Sequence, residues 1–463
     1  MYLSFSLTLI IISAIGLYYG QKVKTLSDFN VGSGKLGASM VSGNLVGIVL
    51  GGASTIGTAE IAYTSGFNSL LYVLGTTTAL IILGIFYAGP VKRSGVYTIG
   101  GFMVPTYGKE ISLFVSIFSA ISIVMGLISQ ILSSTALFMT VTNLNISLSI
   151  ILSVALIVVY VLFGGFLSAS IIGTMKIYLL YAGFLIAGVI AVSKLGGLMG
   201  LATGFPASAF NPLNRGVWPG LSSYFSSIIG ILSTQAYFQA VYSARDIKTA
   251  KTACFTSAAL NLPIGILCAI IGMYMGKNYP GINPKMALTL FSMKVLNPYM
   301  GGLVLSVLLI SVIITSSGLL LSISTLLSRD IYKGFINPAA DDKRELFIER
   351  LIIIGFGIVC AVLTMSLWST PILEFTYISM GIRGLAVFLP LLATMYFKES
   401  ITARSGILSA SLSPLLYIVL FIMKVDAALY IALAFAFAVL LWPGLAARNL
   451  HIIKLLNKLF PGK

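Results

Sequence analysis

Three charged side chains stand inside long apolar stretches of the sequence: Glu60, Lys176 and Arg383. A charge in the hydrocarbon layer of a membrane is costly, so such residues usually line a pathway, bind a ligand or pair with one another. A lysine can gain and lose a proton, whereas an arginine stays charged, and the planar guanidinium suits a carboxylate. We therefore expect proton, cation or solute chemistry at these three positions.

Each of these residues also has alternative interpretations. Glu60 could carry a proton, attract a cationic solute, or pair with Arg383 and so close an outer vestibule. Lys176 lies near the predicted inner end of its apolar run, so its long side chain could instead reach the membrane surface. The sequence leaves these alternatives open.

A glycine-rich segment lies in the middle of the second apolar run. It spans Ser42–Gly57 and contains five glycines together with Asn44, Ser54 and Thr55. Free backbone groups in lipid cost several kcal/mol each, so a broken helix is expected only where it is buried or lines an aqueous cavity. Interrupted helices of this kind are typical of the central site of a transporter. The alternative is a continuous helix that uses glycine for close packing.

The elements that position these residues are membrane spans. The chain has 463 residues, of which 58% are hydrophobic and 9% charged, whereas a soluble domain carries about 25% charged residues. One span takes about 20 residues, so the chain has room for a dozen or more. Apolar runs predict thirteen helices: 3–20, 38–63, 68–90, 111–141, 147–164, 166–193, 218–243, 252–276, 294–328, 348–368, 371–397, 403–423 and 426–446.

The basic residues predict an orientation. A thirteen-span chain with its N terminus outside places 20 of the 28 lysines and arginines in cytoplasmic loops and six outside, and two lie within apolar runs. This asymmetry follows the positive-inside rule. We expect a multi-pass protein of the cell membrane, embedded in the lipid bilayer, with its C terminus in the cytoplasm. Residues 447–463 are predicted to form a basic amphipathic segment on the inner surface.

Several classes of protein are disfavoured. The net charge of +16 is explained by basic cytoplasmic loops, so we expect no nucleic-acid partner. The single histidine, His451, lies in the terminal basic segment, and the sequence has no carboxylate pair or metal-spaced cluster that would indicate an enzyme. The three cysteines lie in or beside apolar stretches and predict no disulfide framework. A channel is disfavoured by the two unlike halves of one chain, whereas a solute sensor with a transporter-like body stays an alternative.

Six segments together resemble the solute:sodium symporter family, which includes carriers for proline, sugars, sialate and pantothenate. The order and spacing of the segments carry the resemblance, because each is weak alone. They are Leu26–Gly37, Gly57–Gly66, Tyr97–Lys109, Tyr160–Leu167, Ser311–Lys333 and Phe388–Leu408.

The resemblance implies an all-α multispan fold of about thirteen helices, with a 5+5 inverted-repeat core that is shared with the leucine transporter. The first and sixth core helices would be broken. The implied organisation is an extra first helix at 1–25, a first five-helix repeat at 26–215, a second at 216–398, two additional helices at 399–446 and the basic tail at 447–463. Such a protein would be a secondary active transporter, functional as a monomer and without a cofactor.

The resemblance also implies a sodium site built from backbone carbonyls and hydroxyls. The carbonyl donors of the first core helix would be Gly47 and Leu50. On the ninth span the donors would be the carbonyl of Ser311 and the hydroxyl of Thr315, while Ile314 stands where the family usually offers a hydroxyl. Ser317 adds a further hydroxyl nearby, although serine and threonine hydroxyls often only bond back to their own helix.

The sixth span departs from the family pattern. The family commonly has an acid where this chain has Gly173, and Lys176 follows three residues later on the same helix face. An ammonium at this position could replace the metal ion and make the site respond to protons. We therefore favour proton coupling through Lys176, with sodium as the alternative coupling ion.

Family substrate positions fall near Ser54, Thr76, Gln235 and Tyr377, and we add Glu60 and Arg383 as solute contacts. The partner implied is a small polar organic solute of the amino acid, sugar or carboxylate class. No residue set names a particular solute.

Overall fold

The computed structural model describes residues 1–20, 26–31, 34–398 and 401–442. Helices account for most of this part of the chain, and its only β pairing is a single bridge between Leu36 and Ala244. The all-α prediction is therefore confirmed. The predicted amphipathic tail at 447–463 lies outside the described residues.

The helices follow one another with short connections. Those of the first half are α1 (Tyr2–Gly20), α2 (Leu26–Val31), α3 (Ala38–Val49), α4 (Thr58–Ser65), α5 (Leu70–Ile82), α6 (Ala88–Arg93), α7 (Ile99–Tyr107), α8 (Glu110–Thr142), α9 (Ile146–Lys194) and α10 (Gly197–Thr203). Those that follow are α11 (Val217–Leu232), α12 (Gln235–Ser243), α13 (Ile247–Asn278), α14 (Ala287–Lys294), α15 (Pro298–Thr325), α16 (Asp342–Ser366), α17 (Ile372–Tyr396), α18 (Ala403–Ile422) and α19 (Ala428–Trp442).

Within the described residues, eight helical stretches are long and apolar enough to cross a membrane, and five further apolar helices are shorter. Each of the thirteen predicted runs overlaps one of them, which supports a multi-pass membrane protein. The exact number of crossings and the limits of the two repeats stay predictions.

No loop separates the predicted helices 147–164 and 166–193, because α9 is assigned as helix throughout its 49 residues. The two predicted runs nevertheless match separate apolar stretches of this helix, Ile146–Leu162 and Ala169–Lys194. A straight helix of that length would measure about 74 Å, against a hydrocarbon core of about 30 Å. α9 is therefore longer than one membrane crossing requires.

Both predicted helix interruptions are present. α3 ends at Val49, Leu50 leaves helical geometry with φ −85° and ψ 61°, and a wide helical turn then runs into α4. α11 ends at Leu232, and Thr234 is extended with φ −94° and ψ 123° before α12 begins. The chain therefore contains two half-helix pairs, α3 with α4 and α11 with α12.

Small residues bring the first interrupted helix close to α9. A Cβ atom added to Gly173 would lie 2.2 Å from the carbonyl oxygen of Gly43, and one added to Gly43 would lie 2.1 Å from the hydroxyl of Thr174. Close backbone approach of this kind is a usual means of helix association in membranes. The crossing places the following turn of α9 directly against the interruption of α3.

Candidate functional site

The end of α3 frees backbone oxygens in the protein interior. The carbonyls of Gly47 and Leu50 lose their helical partners because the chain leaves helical geometry at Leu50, and both residues are buried. Buried backbone oxygens need a partner, and the C-terminal end of a helix favours a positive charge. The carbonyl oxygens at the interruption therefore form a place where a positive charge is favoured.

Lys176 supplies that charge. Its Nζ donates a hydrogen bond of 2.6 Å to the carbonyl oxygen of Leu50 and one of 3.2 Å to that of Gly47. The side chain is only 1% exposed, so the alternative in which Lys176 reaches the membrane surface was wrong. The structure joins Lys176 to the two carbonyls that the family pattern assigns to a cation.

The packing explains why the acid of the family pattern is missing. At Gly173 even a Cβ would overlap the carbonyl of Gly43, so an aspartate has no room there. Gly173 and Lys176 share one face of α9, as predicted, and the tight crossing at Gly173 lets the lysine reach across to α3. The loss of the acid and the presence of the lysine are parts of one arrangement.

On α15, one of the three predicted donors joins this group. The hydroxyl of Thr315 donates to the carbonyl oxygen of Gly47 at 2.8 Å, while Ile314 presents a methyl group toward Gly47. Ser311 and Ser317 donate to oxygens of their own helix, and the carbonyl of Ser311 lies inside the continuous helix α15. The cluster is therefore Gly47, Leu50, Lys176 and Thr315.

The backbone amide of Gly52, at the other side of the interruption, is bound by a residue that the sequence analysis missed. Gln130 of α8 accepts this N–H through Oε1 at 2.8 Å. Ser54 bonds back across the interruption, at 2.7 Å from the oxygen of Val49. A glutamine inside an apolar run, such as Gln130, was the available signal.

The second interruption also has a buried cation. Arg383 of α17 is 4% exposed, and its Nε donates to the carbonyl oxygen of Gly230 in the last turns of α11 at 3.2 Å. The hydroxyl of Thr234 donates to the same oxygen at 2.5 Å. Arg383 thus lies at the C-terminal end of the second half-helix, as Lys176 does at the first.

The proposed pair between Glu60 and Arg383 is not formed, and that alternative was wrong. Glu60 accepts the backbone N–H of Ile372 at 2.9 Å and lines a cavity of about 420 Å³ together with Lys285. Lys285 donates to the carbonyl oxygen of Trp368, and burial lowers the pKa of this lysine, an effect that Glu60 opposes. Glu60 therefore lines a cavity with Lys285 and forms no ion pair with Arg383.

The remaining predicted solute positions have protein partners. Gln235 bonds to the backbone of the loop before α7, at 2.9 Å from the nitrogen of Ile99 and 2.7 Å from the oxygen of Tyr97. Thr76 accepts a hydrogen bond of 2.9 Å from Asn261. Tyr377 lines a cavity of about 610 Å³ near the N-terminal end of α17. These residues do not form one cluster with Lys176.

The comparisons with known proteins agree with this architecture. The family model described as sodium:solute symporter family matches residues 29–413, which is most of the chain. This chain belongs to the sodium:solute symporter family. It is therefore a secondary transporter and a multi-pass membrane protein.

Two relatives from Bacillus subtilis (strain 168) illustrate the distance within the family. The osmoregulated proline transporter OpuE is 22% identical over 83% of this chain and 81% of its own length. The uncharacterized symporter YwcA is 22% identical over 87% of this chain and 82% of its own length. Both matches therefore cover more than four fifths of this chain and of the relative.

Solved structures show the same fold. A substrate-bound, outward-open Na⁺-coupled sialic acid symporter superposes with a TM-score of 0.79 at 17% identity, covering 96% of this chain and 97% of the other. Mhp1, a nucleobase-cation-symport-1 family transporter in a closed conformation, gives 0.60 at 14% identity, covering 92% and 94%. The inverted-repeat fold shared with the leucine transporter is thereby confirmed.

This symporter also has a buried polar network between the end of α15 and the start of α16, which the sequence analysis did not single out. Glu349 accepts from Asn30 at 3.0 Å and from Ser328 at 2.9 Å. Asp330 accepts from Thr98 at 3.0 Å. The motif Ser328–Lys333 was noted for its resemblance alone, although a buried acid within it was a further signal.

The residues at the first interruption do not fit a sodium ion. Both carbonyl oxygens that would bind it accept hydrogen bonds from Nζ of Lys176, and Ile314 offers no oxygen.

Proposed function

We propose that this transporter moves a small polar organic solute by alternating access and couples that movement to a proton exchanged at Lys176. The observation that carries the proposal is the ammonium itself, 2.6 Å from the carbonyl oxygen of Leu50. A lysine can gain and lose its proton in the interior, which an arginine cannot. The side chain therefore serves as the coupling cation.

Sodium is disfavoured on electrostatic grounds. Two unit charges about 4 Å apart repel by about 4 kcal/mol at an effective dielectric constant of 20. A sodium ion placed among Gly47, Leu50 and Thr315 would meet that repulsion from protonated Lys176. It would also have to displace the hydrogen bonds that the ammonium makes.

The contacts of Lys176 suggest how protonation acts on the conformation. The charged side chain joins α9 to the end of α3, and Thr315 joins α15 to the same place. Loss of the proton removes the charge-assisted part of these bonds, which is the stronger part. The interrupted helix is then freer to move against α9 and α15, as alternating access requires.

The solute class comes from the relatives and stays broad. One relative is named for proline and one structural neighbour for sialic acid. We infer a solute of the amino acid, sugar or carboxylate class, carried by a monomer in the cell membrane. We infer that residues 1–25 form an extra first helix and that 26–215 and 216–398 form the two five-helix repeats. Residues 399–446 form two additional helices, and 447–463 form the basic tail.

Reconstitution in liposomes tests the coupling. Labelled L-proline and N-acetylneuraminate serve as the first probes, in sodium-free choline buffer with and without an inward proton gradient. We expect uptake to rise with the proton gradient and to need no sodium. Lys176→Arg keeps the charge and removes the titration, so it should abolish the response to the gradient.

Lys194→Arg is the matched control, because Lys194 is an exposed lysine at the end of the same helix. It should respond to the gradient as the wild type does. Strict sodium dependence with a saturable affinity would overturn proton coupling and favour a sodium symporter. Solute binding without any counterflow would favour a sensor.

The proposed orientation has an independent test. The native cysteines Cys254, Cys268 and Cys360 are buried, so an introduced cysteine can be labelled selectively. Lys194→Cys should react with an impermeant maleimide from outside and Lys251→Cys only from the cytoplasmic side. Reaction of both from one side would overturn the thirteen-span topology.

A further inference from the structure

Arg383 is a buried cation whose partners in the described residues are all neutral. Its Nε donates to the carbonyl oxygen of Gly230 at 3.2 Å, and its Nη1 lies 3.1 Å from the hydroxyl of Ser379 and 3.5 Å from that of Ser122. The side chain is 4% exposed in the interior of α17. A guanidinium in such a place normally has a carboxylate partner.

No acid in the described part of the chain forms an ion pair with Arg383. Glu60, which the sequence suggested as a partner, is bound to the backbone of Ile372. Glu374, on the same helix, lines the outer cavities. The charge of Arg383 is therefore offset only by backbone and hydroxyl dipoles.

Some N–H groups of the Arg383 guanidinium have no acceptor among the described residues of the protein. Arginine carries five N–H groups in a fixed fork, and in the described part of the chain Nη2 makes no hydrogen bond with the protein. A second N–H of Nη1 has at most the long contact to Ser122 as its acceptor. Two N–H groups in this geometry match the two oxygens of a carboxylate.

The location fits a solute contact. Gly230 belongs to the half-helix that ends at the second interruption, and Ser122 lies two turns from Gln130, which binds the backbone of the first interruption. The phenol groups of Tyr72 and Tyr237, both buried, lie near Arg383. In inverted-repeat transporters the solute binds near the interrupted helices.

We propose that the transported solute carries a carboxylate and that Arg383 binds it through two N–H groups. This inference rests on the proposed transport function and deepens it by naming the solute class. Anionic and zwitterionic solutes fit, because each supplies the missing negative charge. Neutral sugars and polyols do not, because they would enter a site that keeps an uncompensated positive charge.

Matched pairs of ligands test the proposal by thermal shift on the purified full-length protein. The probes are L-proline with L-prolinamide, L-lactate with lactamide, N-acetylneuraminate with its methyl ester, and D-glucose and myo-inositol as neutral compounds. A bound ligand raises the unfolding temperature by mass action. We expect stabilisation by at least one acid and by none of its neutral partners.

The variants assign that binding to Arg383. Arg383→Gln should lose the stabilisation, and Arg383→Lys, which keeps the charge but not the fork, should bind the acid at least tenfold more weakly. The matched control is Arg404→Gln, an exposed arginine outside the central region, which should bind as the wild type does. If Arg383→Gln does not fold, the wild-type ligand pairs and Arg383→Lys still decide the question.

Two results would overturn the inference: stabilisation by neutral probes alone, or equal stabilisation of the wild type and Arg383→Lys by the same acid. These results leave transport itself intact, because counterflow of a neutral solute would still be transport. Conversely, an acid that binds at Arg383 without counterflow would contradict the transport function and not the solute class. The two failures are therefore distinguishable.

Discussion

The two interrupted helices of this symporter both leave buried carbonyl oxygens that need a partner, and a different residue supplies the partner in each. In each, a half-helix ends in the protein interior and leaves carbonyl oxygens without helical partners. Each end receives a buried basic side chain from a long helix later in the chain, Lys176 for the first and Arg383 for the second. The positive charges lie where the helix dipoles favour them.

The difference lies in what else surrounds each charge. At the first interruption Lys176 spans two carbonyls, and Thr315 and Gln130 complete the hydrogen bonding from two other helices. At the second, Arg383 and Thr234 share one carbonyl, and part of the guanidinium stays unused. In the functions proposed above, Lys176 exchanges a proton and Arg383 binds the carboxylate of the solute.

The largest loss of stability is expected at Gly173, where the first interruption depends on close packing between α3 and α9. Gly173→Asp would place a Cβ 2.2 Å from the carbonyl oxygen of Gly43 and add a buried acid beside it. Overpacking and a buried charge are each among the severe mechanisms of destabilisation, and we expect a loss of more than about 4 kcal/mol. The measurement is the yield of monodisperse protein after detergent extraction.

Gly355→Ala is the control, because a Cβ there meets nothing within 4 Å. It should be neutral or raise stability by up to about 1 kcal/mol through helix propensity. A well-folded Gly173→Asp protein that now binds sodium would contradict the account of the missing acid, since the packing would then have room for it.

The second prediction compares the hydrogen bonds of the two interruptions. Gln130→Leu leaves the buried N–H of Gly52 without the acceptor that it has at 2.8 Å, at a cost of about 1–3 kcal/mol. Thr234→Val removes one of two donors to Gly230, so Arg383 still satisfies that oxygen, and we expect a loss below about 1 kcal/mol. Equilibrium unfolding in SDS mixed micelles measures both. The reverse order would show that the second interruption is the more tightly held.

More of the fold than of the site could be predicted from the sequence, because the features that indicate the fold are repeated along the chain. Apolar runs, basic loops and glycine-rich interruptions each occur many times and support one another. The sequence did not show that the predicted helices 147–164 and 166–193 are continuous in α9, because two adjacent apolar runs look the same in one long helix and in two shorter ones. The contact of Glu60 was hidden as well, since its partner Ile372 belongs to α17, far away in the sequence.

The contacts of the site were predictable where a side chain reaches a backbone position that the family pattern already indicates. Lys176, Gly47 and Leu50 follow from spacing and from the family pattern, and their contacts form as expected. Ser311 and Ser317 do not join them, because hydroxyls on a continuous helix have oxygens of their own helix within reach. Gln130 was missed because nothing in the sequence pairs α8 with the first interruption.

The smallest expected effect tests the hydroxyl that remains at the first interruption. Thr315→Val keeps the shape of the side chain but removes its hydrogen bond of 2.8 Å to Gly47. Because Lys176 still binds that carbonyl oxygen, the loss in unfolding free energy should be about 1 kcal/mol, with no change in the response to sodium. Ser317→Ala removes a hydroxyl that bonds only to its own helix and should stay within about 0.5 kcal/mol of the wild type.

If Thr315→Val instead weakens a measurable sodium affinity while Ser317→Ala does not, then Thr315 is a sodium ligand. Lys176 must in that case leave the carbonyls during transport, and the first interruption would be an ion site after all.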